Sequence, residues 1–457
     1  MAFPTTGRPT SPDEQLVRVI GTRELTANII NATIGAGIFV LPAAVAMGLG
    51  AAAPVAYLAC AGLMTLIVLC FAAAGSRVSL TGGLYAYIEV AFGGFAGFAG
   101  GVFYWSTACF SVASVATAFA GSLGVIWTPL GAGIVRALVL VVLFAGLAFV
   151  NVRGVKPGIR LVEAITVAKL APLLVLIVAG AWALNPAYLK FSMPTLSQVG
   201  QASILLIFAF EGIEVALMPV GEVRDPARTV PRAILGALAV TTLIYLAIQA
   251  VAQGILGPQL STYADAPLAE TAGRLLGRLG KALVLAGGTI SMFGYVSGDM
   301  LGTPRALFAL GRDGALPGVL AKVHSQYRTP AVAIIIYAAI VAALSISSSF
   351  NQLAVLANVS GLLLYALCVA ASYELQRRDV RMAGTPFNLP GGIAIQLAAL
   401  AGITWLVSQA TSREFAIEAA VLVAASAYYA LRQSTVKRQS SVGSRQSSVG
   451  SRQSTED

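Results

Sequence analysis

Lys169, Glu211 and Glu214 are ionisable side chains inside runs apolar enough to cross a bilayer. A charge at that depth costs about 2.5–3.5 kcal/mol or more unless it is paired or solvated, so each of the three needs a partner or a proton. Glu211 has three uses open to it: meeting an amine, relaying a proton, or capping freed backbone amides. Glu214 has the same options or faces water. Lys169 can bind and release a proton or stand as a permanently charged strut. Around Glu211 the run Phe208-Ala209-Phe210-Glu211-Gly212-Ile213-Glu214 breaks a hydrophobic segment, and Asn31-Ala32-Thr33-Ile34-Gly35-Ala36-Gly37-Ile38-Phe39 breaks another. Unsatisfied amides cost several kcal/mol in hydrocarbon, so non-helical chain there must line a cavity or bind something. Gly35 and Gly37 lack Cβ and let backbone amides approach an anion, while a half-helix starting at Ile38 adds positive dipole at its N-terminus. Freed carbonyls at the same breaks attract cations, so a ligand carrying both charges fits. Two interrupted helices at matching positions of two halves are the sequence mark of a secondary transporter's substrate site. Close helix packing through small residues is the alternative for the two glycines; the polar-flanked run favours the site.

The elements that must position these residues are transmembrane helices. The chain has 457 residues, 57% hydrophobic and 11% charged, with mean hydropathy +0.83, which excludes a soluble protein with a solvated surface. Apolar runs predict twelve spans near 25–47, 52–74, 92–121, 132–150, 160–184, 199–220, 232–256, 281–302, 330–347, 351–373, 391–410 and 414–431. Segment 1–23 is polar and carries no signal peptide pattern, so the first span inserts the protein. An even number of spans puts both termini on one side. With that side cytoplasmic, most of the 29 Lys and Arg fall in inside loops, and outside lie only Arg136, Lys190, Arg274, Arg278, Lys281 and Arg413. The net charge of +10 is therefore a topology signal and implies no nucleic acid. The two breaks divide ten spans into five plus five, each set opening with an interrupted helix, as an inverted repeat would. The expected organisation is a cytoplasmic segment 1–23, a core 24–374, a loop with spans eleven and twelve over 375–432, and a cytoplasmic tail 433–457. The tail repeats Ser-Ser-Val-Gly-Ser-Arg-Gln and is too polar to fold. Spans eleven and twelve are taken to lack intramembrane charge and to pack against lipid or a second protomer.

The runs Thr33–Phe39, Gly82–Tyr87, Asn151–Lys156 and Phe208–Gly212, with Glu222, Asp225-Pro226, Pro231-Arg232-Ala233 and Gly314-Ala315-Leu316-Pro317, resemble the amino acid–polyamine–organocation permeases. They follow in order over about three quarters of the chain. The resemblance implies an all-α membrane protein with the five-plus-five inverted-repeat fold, broken helices one and six, two extra C-terminal helices, and amino acid or amine transport by alternating access. It places the substrate carboxylate at Gly35, Ala36 and Gly37, the amine at carbonyls of Ile34, Phe208, Ala209 and Glu211, and an aromatic gate at Phe208. It also matches Lys169 to a lysine that stands in for sodium in some members, with carbonyls near Ile34 and Gly35 and a hydroxyl of Thr289 or Ser291 as its partners. Heteromeric members bind a glycoprotein through a cysteine after span three. The loop 121–133 has none, so no disulfide-linked accessory subunit is expected.

Proton-coupled, sodium-independent uptake of L-amino acids across the plasma (inner) membrane is the expected function, with exchange against an amino acid or amine as the alternative. A non-transporting sensor is a further alternative, disfavoured by the short tail. No nucleophile and base pair or metal-ligand cluster suggests an enzyme, and no cofactor or metal is expected. Protons, membrane lipid and the amino acid are the expected partners, and a homo-oligomer is compatible with the last two spans. Cys60, Cys70, Cys109 and Cys368 read as small buried hydrophobes, and His324 as a loop residue. Asp299 reads as a solvated helix end or as the partner of Arg305 in a gate. Tyr104, Trp105, Phe110, Tyr295 and Tyr365 are able to line the pocket, but aromatics in spans are mostly lipid-facing or interfacial anchors, and none of the five is assigned.

Overall fold

Apolar runs bounded by glycine, proline and hydroxyl caps set the helices. Thr195 and Ser349 each accept from the amide three residues on while Gln198 and Gln352 reach back, closing capping boxes on the helices Leu196–Leu206 and Phe350–Arg377. Pro226 opens another helix, Pro226–Leu256, at the position where its missing N–H costs nothing. The computed structural model describes residues 20–35, 37–78, 83–154, 159–214, 223–312, 316–382 and 385–431. Ala36, Gly82, Lys156, Glu222, Gly314, Ala315 and the tail from 432 onward lie outside them, as does most of segment 1–23.

In chain order the helices are α1 (Thr22–Thr33), α2 (Gly37–Leu49), α3 (Ala53–Gly75), α4 (Leu84–Phe92), α5 (Gly94–Ile126), α6 (Gly133–Val152), α7 (Ile159–Gly180), α8 (Leu196–Leu206), α9 (Pro226–Leu256), α10 (Pro267–Arg312), α11 (Ala331–Ser347), α12 (Phe350–Arg377), α13 (Ile393–Val407) and α14 (Ser412–Leu431). Apart from one isolated bridge between Ile20 and Val223, regular structure among the described residues is helical. Against the twelve spans expected, seven helical stretches among these residues are long and apolar enough to cross a membrane; four further apolar helices, in α7, α8, α11 and α13, are shorter. α10 is two helices joined at Gly277, whose φ of +67° interrupts the ladder.

At the centre, α5 packs along α12 and α10, α9 packs on α1 and α3, and α7 lies against α10 and α9. The four cysteines are buried and free, and the Cys60 thiol donates to the Ser203 carbonyl at 3.6 Å. His324 lies between α10 and α11, where its Nδ1 accepts the amides of Gln326 and Tyr327. The loop after α12 docks on the end of α3: the Met382 amide donates to the Arg77 carbonyl at 2.9 Å, and the Arg77 guanidinium meets Asp379 at 3.4 Å. Arg381, which hydrogen-bonds Asp379, and Arg77 hold that carboxyl below its usual range.

One expectation is overturned here. The last span does carry a buried ionisable group, Glu418 of α14, which is 3% exposed and meets the Ser360 hydroxyl of α12 at 2.5 Å. A carboxyl in an otherwise apolar span is tolerated because α12 offers it a hydroxyl.

Candidate functional site

Both expected breaks are present. α1 ends at Thr33, Ile34 leaves the helix with φ −74° and ψ 76°, and α2 starts at Gly37. α8 tightens at Leu206 into a 3-10 turn over Ile207–Phe210, after which Glu211 is extended and Gly212 takes φ +96°. The breaks lie against each other: a Cβ on Gly212 would stand 3.0 Å from the Ala32 carbonyl oxygen, and one on Gly37 would stand 3.3 Å from the Phe208 ring and 3.5 Å from the Ala209 Cα.

Helix ends strand their last carbonyls, and in hydrocarbon each must be met. The Ile30 carbonyl takes the Ile34 amide at 2.9 Å, and the Thr33 carbonyl takes the Gly35 amide at 2.8 Å. The Asn31 carbonyl takes the Lys169 ammonium from α7 at 2.5 Å. Ala32 faces Gly212 of the other break. The Tyr245 hydroxyl of α9 lies 2.9 Å from the Thr33 carbonyl and 2.7 Å from the Ala209 carbonyl, so a single hydroxyl reaches the open backbone of both breaks. Tyr245 is 0% exposed and stacks edge-on to Phe210 and Tyr57. Asn358 of α12 does the same service for the end of α8, donating to the Ile204 carbonyl at 2.7 Å. The first amides of α2 have no acceptor within their own helix and stand at its positive dipole end.

Glu211 points into a notch on α12, its Oε1 3.2 Å from where a Cβ of Gly361 would stand, while its Oε2 accepts from Ser111 of α5 at 2.9 Å. Glu214 performs the capping that Glu211 was a candidate for: its Oε2 accepts the Gly212 amide at 3.0 Å and the Tyr365 hydroxyl at 2.8 Å. Asp299 is held by Thr303 at 2.7 Å and by Tyr337 at 2.5 Å rather than by Arg305, which is exposed. Tyr295, one helical turn before Asp299, stands 3.9 Å from the Cβ position of Gly35 and lies within electrostatic reach of Glu211, Glu214 and Asp299. Tyr295 and Tyr365 thus face the site, not lipid.

Phe208 is buried and meets Phe350, the first residue of α12, edge to face at 5.7 Å. Phe350 also lines a cavity of about 590 Å³ walled by α2, the α5–α6 turn and the α11–α12 turn, with Arg136 and Asp265 in its wall. The aromatic pair lies between that cavity and the breaks.

Lys169, 7% exposed, therefore joins α7 to the end of α1, at Asn31 rather than at Ile34 or Gly35. The Thr289 hydroxyl donates to the Leu285 carbonyl of its own helix at 2.8 Å, and the contact described for the Lys169 ammonium is the Asn31 carbonyl. Ser291 is buried on the same helix. Ile34, Gly35, Gly37, Phe208, Ala209 and Glu211 come together, and Ala36 lies outside the described residues. Tyr245, Ser111, Asn358 and Gly361 are the participants that sequence reasoning missed. No group of three or more His, Cys, Asp or Glu able to hold a metal occurs among the described residues.

Helices broken back to back in an apolar bundle, with charged side chains meeting open backbone, define a multi-pass membrane transporter. The family model described as amino acid permease matches residues 20–425. The chain is 31% identical to an uncharacterized transporter of Mycobacterium tuberculosis, over 95% of each protein. It is 29% identical to the serine/threonine exchanger of Bacillus subtilis, over 80% of this chain and 85% of that one. Identity to the branched-chain amino acid permease of Bacillus subtilis is 26%, over 84% and 86%. The chain belongs to the amino acid permease family of the amino acid–polyamine–organocation superfamily.

Proposed function

We propose that this permease moves L-amino acids across the plasma (inner) membrane by alternating access, coupled to protons and independent of sodium. Its frame is read as twelve spans with both termini cytoplasmic, ten of them forming a five-plus-five inverted repeat and two lying outside it. The observation that carries the proposal is the meeting of the two breaks. At one place lie the N-terminus of α2, the carbonyls of Thr33 and Ala209 reached by one tyrosine, and the Glu211 carboxyl. The amide end suits a carboxylate and the carbonyl side an ammonium, so a zwitterion is held at both ends without a metal. The Lys169 ammonium on the Asn31 carbonyl supports sodium independence, because a fixed cation occupies the negative end of α1. Phe208 acts as the gate, backed by Phe350.

Exchange is the second reading, favoured by the likeness to a serine/threonine exchanger. Uptake of labelled L-amino acids into proteoliposomes separates the two. Empty vesicles under an inward proton gradient, in sodium-free buffer, should accumulate label, and collapse of the gradient should abolish it. Uptake seen only after preloading with unlabelled amino acid would establish exchange instead. Absence of uptake in both conditions would overturn amino acid transport.

A further inference from the structure

We propose that Glu418 is a proton-binding site outside the transport core, a positioning residue whose protonated carboxyl latches α14 to α12 directly behind the notch that holds Glu211. The first support is a count of protons. The Ser360 hydroxyl lies 2.5 Å from Glu418 Oε1 and 3.0 Å from the Leu356 carbonyl. A serine has one proton to give, and neither a carbonyl nor an ionised carboxylate can donate. Both contacts are hydrogen bonds only if Glu418 carries the proton, donating to Ser360, which donates to Leu356. The second support is the other carboxyl oxygen: Oε2 is buried with no partner among the described atoms. A charged carboxylate left so is far more costly than a neutral acid.

The third support is placement. Glu418 is the one buried residue of α14, whose other side chains are half-buried or exposed, so its hydrogen bond ties the second turn of this helix to α12 beside the packing of Ile417 and Leu422. Its partner, Ser360, is followed directly by Gly361, whose missing side chain makes the notch for Glu211 Oε1. Two carboxyls therefore rest on consecutive residues of α12, one at the site and one at the periphery. The described contacts of α14 are with α12 and α5. On α12 the ionisable side chains are Tyr365, Cys368, Tyr373, Glu374 and Arg377; Tyr365 is engaged with Glu214, and Glu374 with Arg377 and Arg378. α5 presents Phe95 and Phe98 to Tyr429, and its ionisable residues are Tyr104 and Cys109. On α14 itself Glu414 is held by Thr411, and Arg413, Tyr428 and Tyr429 complete the set. Among the described residues, Ser360 is the hydrogen-bond partner of Glu418. Loss of the proton turns the Ser360 hydroxyl from Leu356 to the carboxylate and leaves a charge on the buried, unpartnered Oε2, which favours displacement of α14 from α12 and frees α12 to shift behind Glu211.

Infrared difference spectroscopy on the full chain in lipid, wild type against E418Q at neutral pH, tests the protonation. The protonated-carboxyl stretch should vanish in E418Q and move in S360A; ionised carboxylate bands in its place would overturn the proposal. Uptake against pH tests the coupling. E418Q, whose amide keeps the Ser360 bond, should match wild type at neutral pH, with the alkaline fall of uptake displaced to higher pH; superimposable profiles would overturn it. The infrared result does not depend on what is carried, so it stands or falls apart from the amino acid assignment.

Discussion

Tyr245→Phe removes one oxygen and no volume, which makes it a clean probe of whether the two breaks are energetically joined. The hydroxyl can donate to only one carbonyl at a time, at 2.9 Å to Thr33 or 2.7 Å to Ala209. Without it the Ala209 carbonyl loses this donor in a fully buried place, while the Thr33 carbonyl keeps the Gly35 amide. Leaving a buried acceptor unsatisfied costs about 1–3 kcal/mol. If that energy falls on the conformation in which the breaks meet, ligand affinity changes by roughly 5- to 150-fold, the span those energies correspond to. The assay is substrate binding and KM in proteoliposomes, with thermal unfolding of the purified protein alongside. Tyr57→Phe is the control, since its ring packs on Tyr245 and its hydroxyl is also buried but donates to the Gln249 side chain, at 3.3 Å, and not to a carbonyl of either break. Y245F should change KM and stability together, whereas Y57F should lower stability alone. An unchanged KM in Y245F, or an equal change in both variants, would refute the role given to the tyrosine.

Gly37→Leu should abolish binding while the protein remains monodisperse, because the added side chain must occupy space held by the Phe208 ring and the Ala209 backbone; wild-type uptake would remove the site from this position. Lys169→Ala should flatten the pH dependence of uptake and remove the ammonium from the Asn31 carbonyl; a retained dependence would move proton coupling to Glu211. Asp379→Asn should loosen the loop docked on α3, read as faster hydrogen exchange at the Met382 amide. Because the folded carboxyl is lowered, its contribution is present above the ordinary value of about 3.9 and is lost as pH falls through the folded one. Wild type at low pH should therefore reproduce the mutant, and matching exchange at neutral pH would dispose of the ion pair.

The breaks were legible because Gly35, Gly37, Glu211 and Gly212 are anomalous in apolar segments, where every deviation from helix must have a cause. Lys169 was legible for the same reason. What could not be read was which neighbour answers each anomaly. Tyr245 and Asn358 sit in unbroken helices, and nothing local distinguishes a tyrosine that reaches two stranded carbonyls from one that anchors at an interface. Asp299 looked toward Arg305 because the two are close in sequence, yet the helix turns Arg305 outward and brings Tyr337 in from α11. Glu418 passed as part of a lipid-facing span because its justification, Ser360, comes from another helix.

The outer helices set a condition on the membrane itself. α13 has 15 residues and α14 has 20, about 22 and 30 Å at 1.5 Å per residue, against a hydrocarbon layer of about 30 Å. Only 6% of the most apolar stretch of α14 is buried by the protein's own chain, which leaves this face to lipid or to a second protomer. In lipid such a flank meets hydrophobic mismatch: the shorter helix favours local thinning and the longer one resists it. Acyl chain length thus becomes a control variable for this permease, and detergents that form thin belts should loosen the flank before they disturb the broken helices.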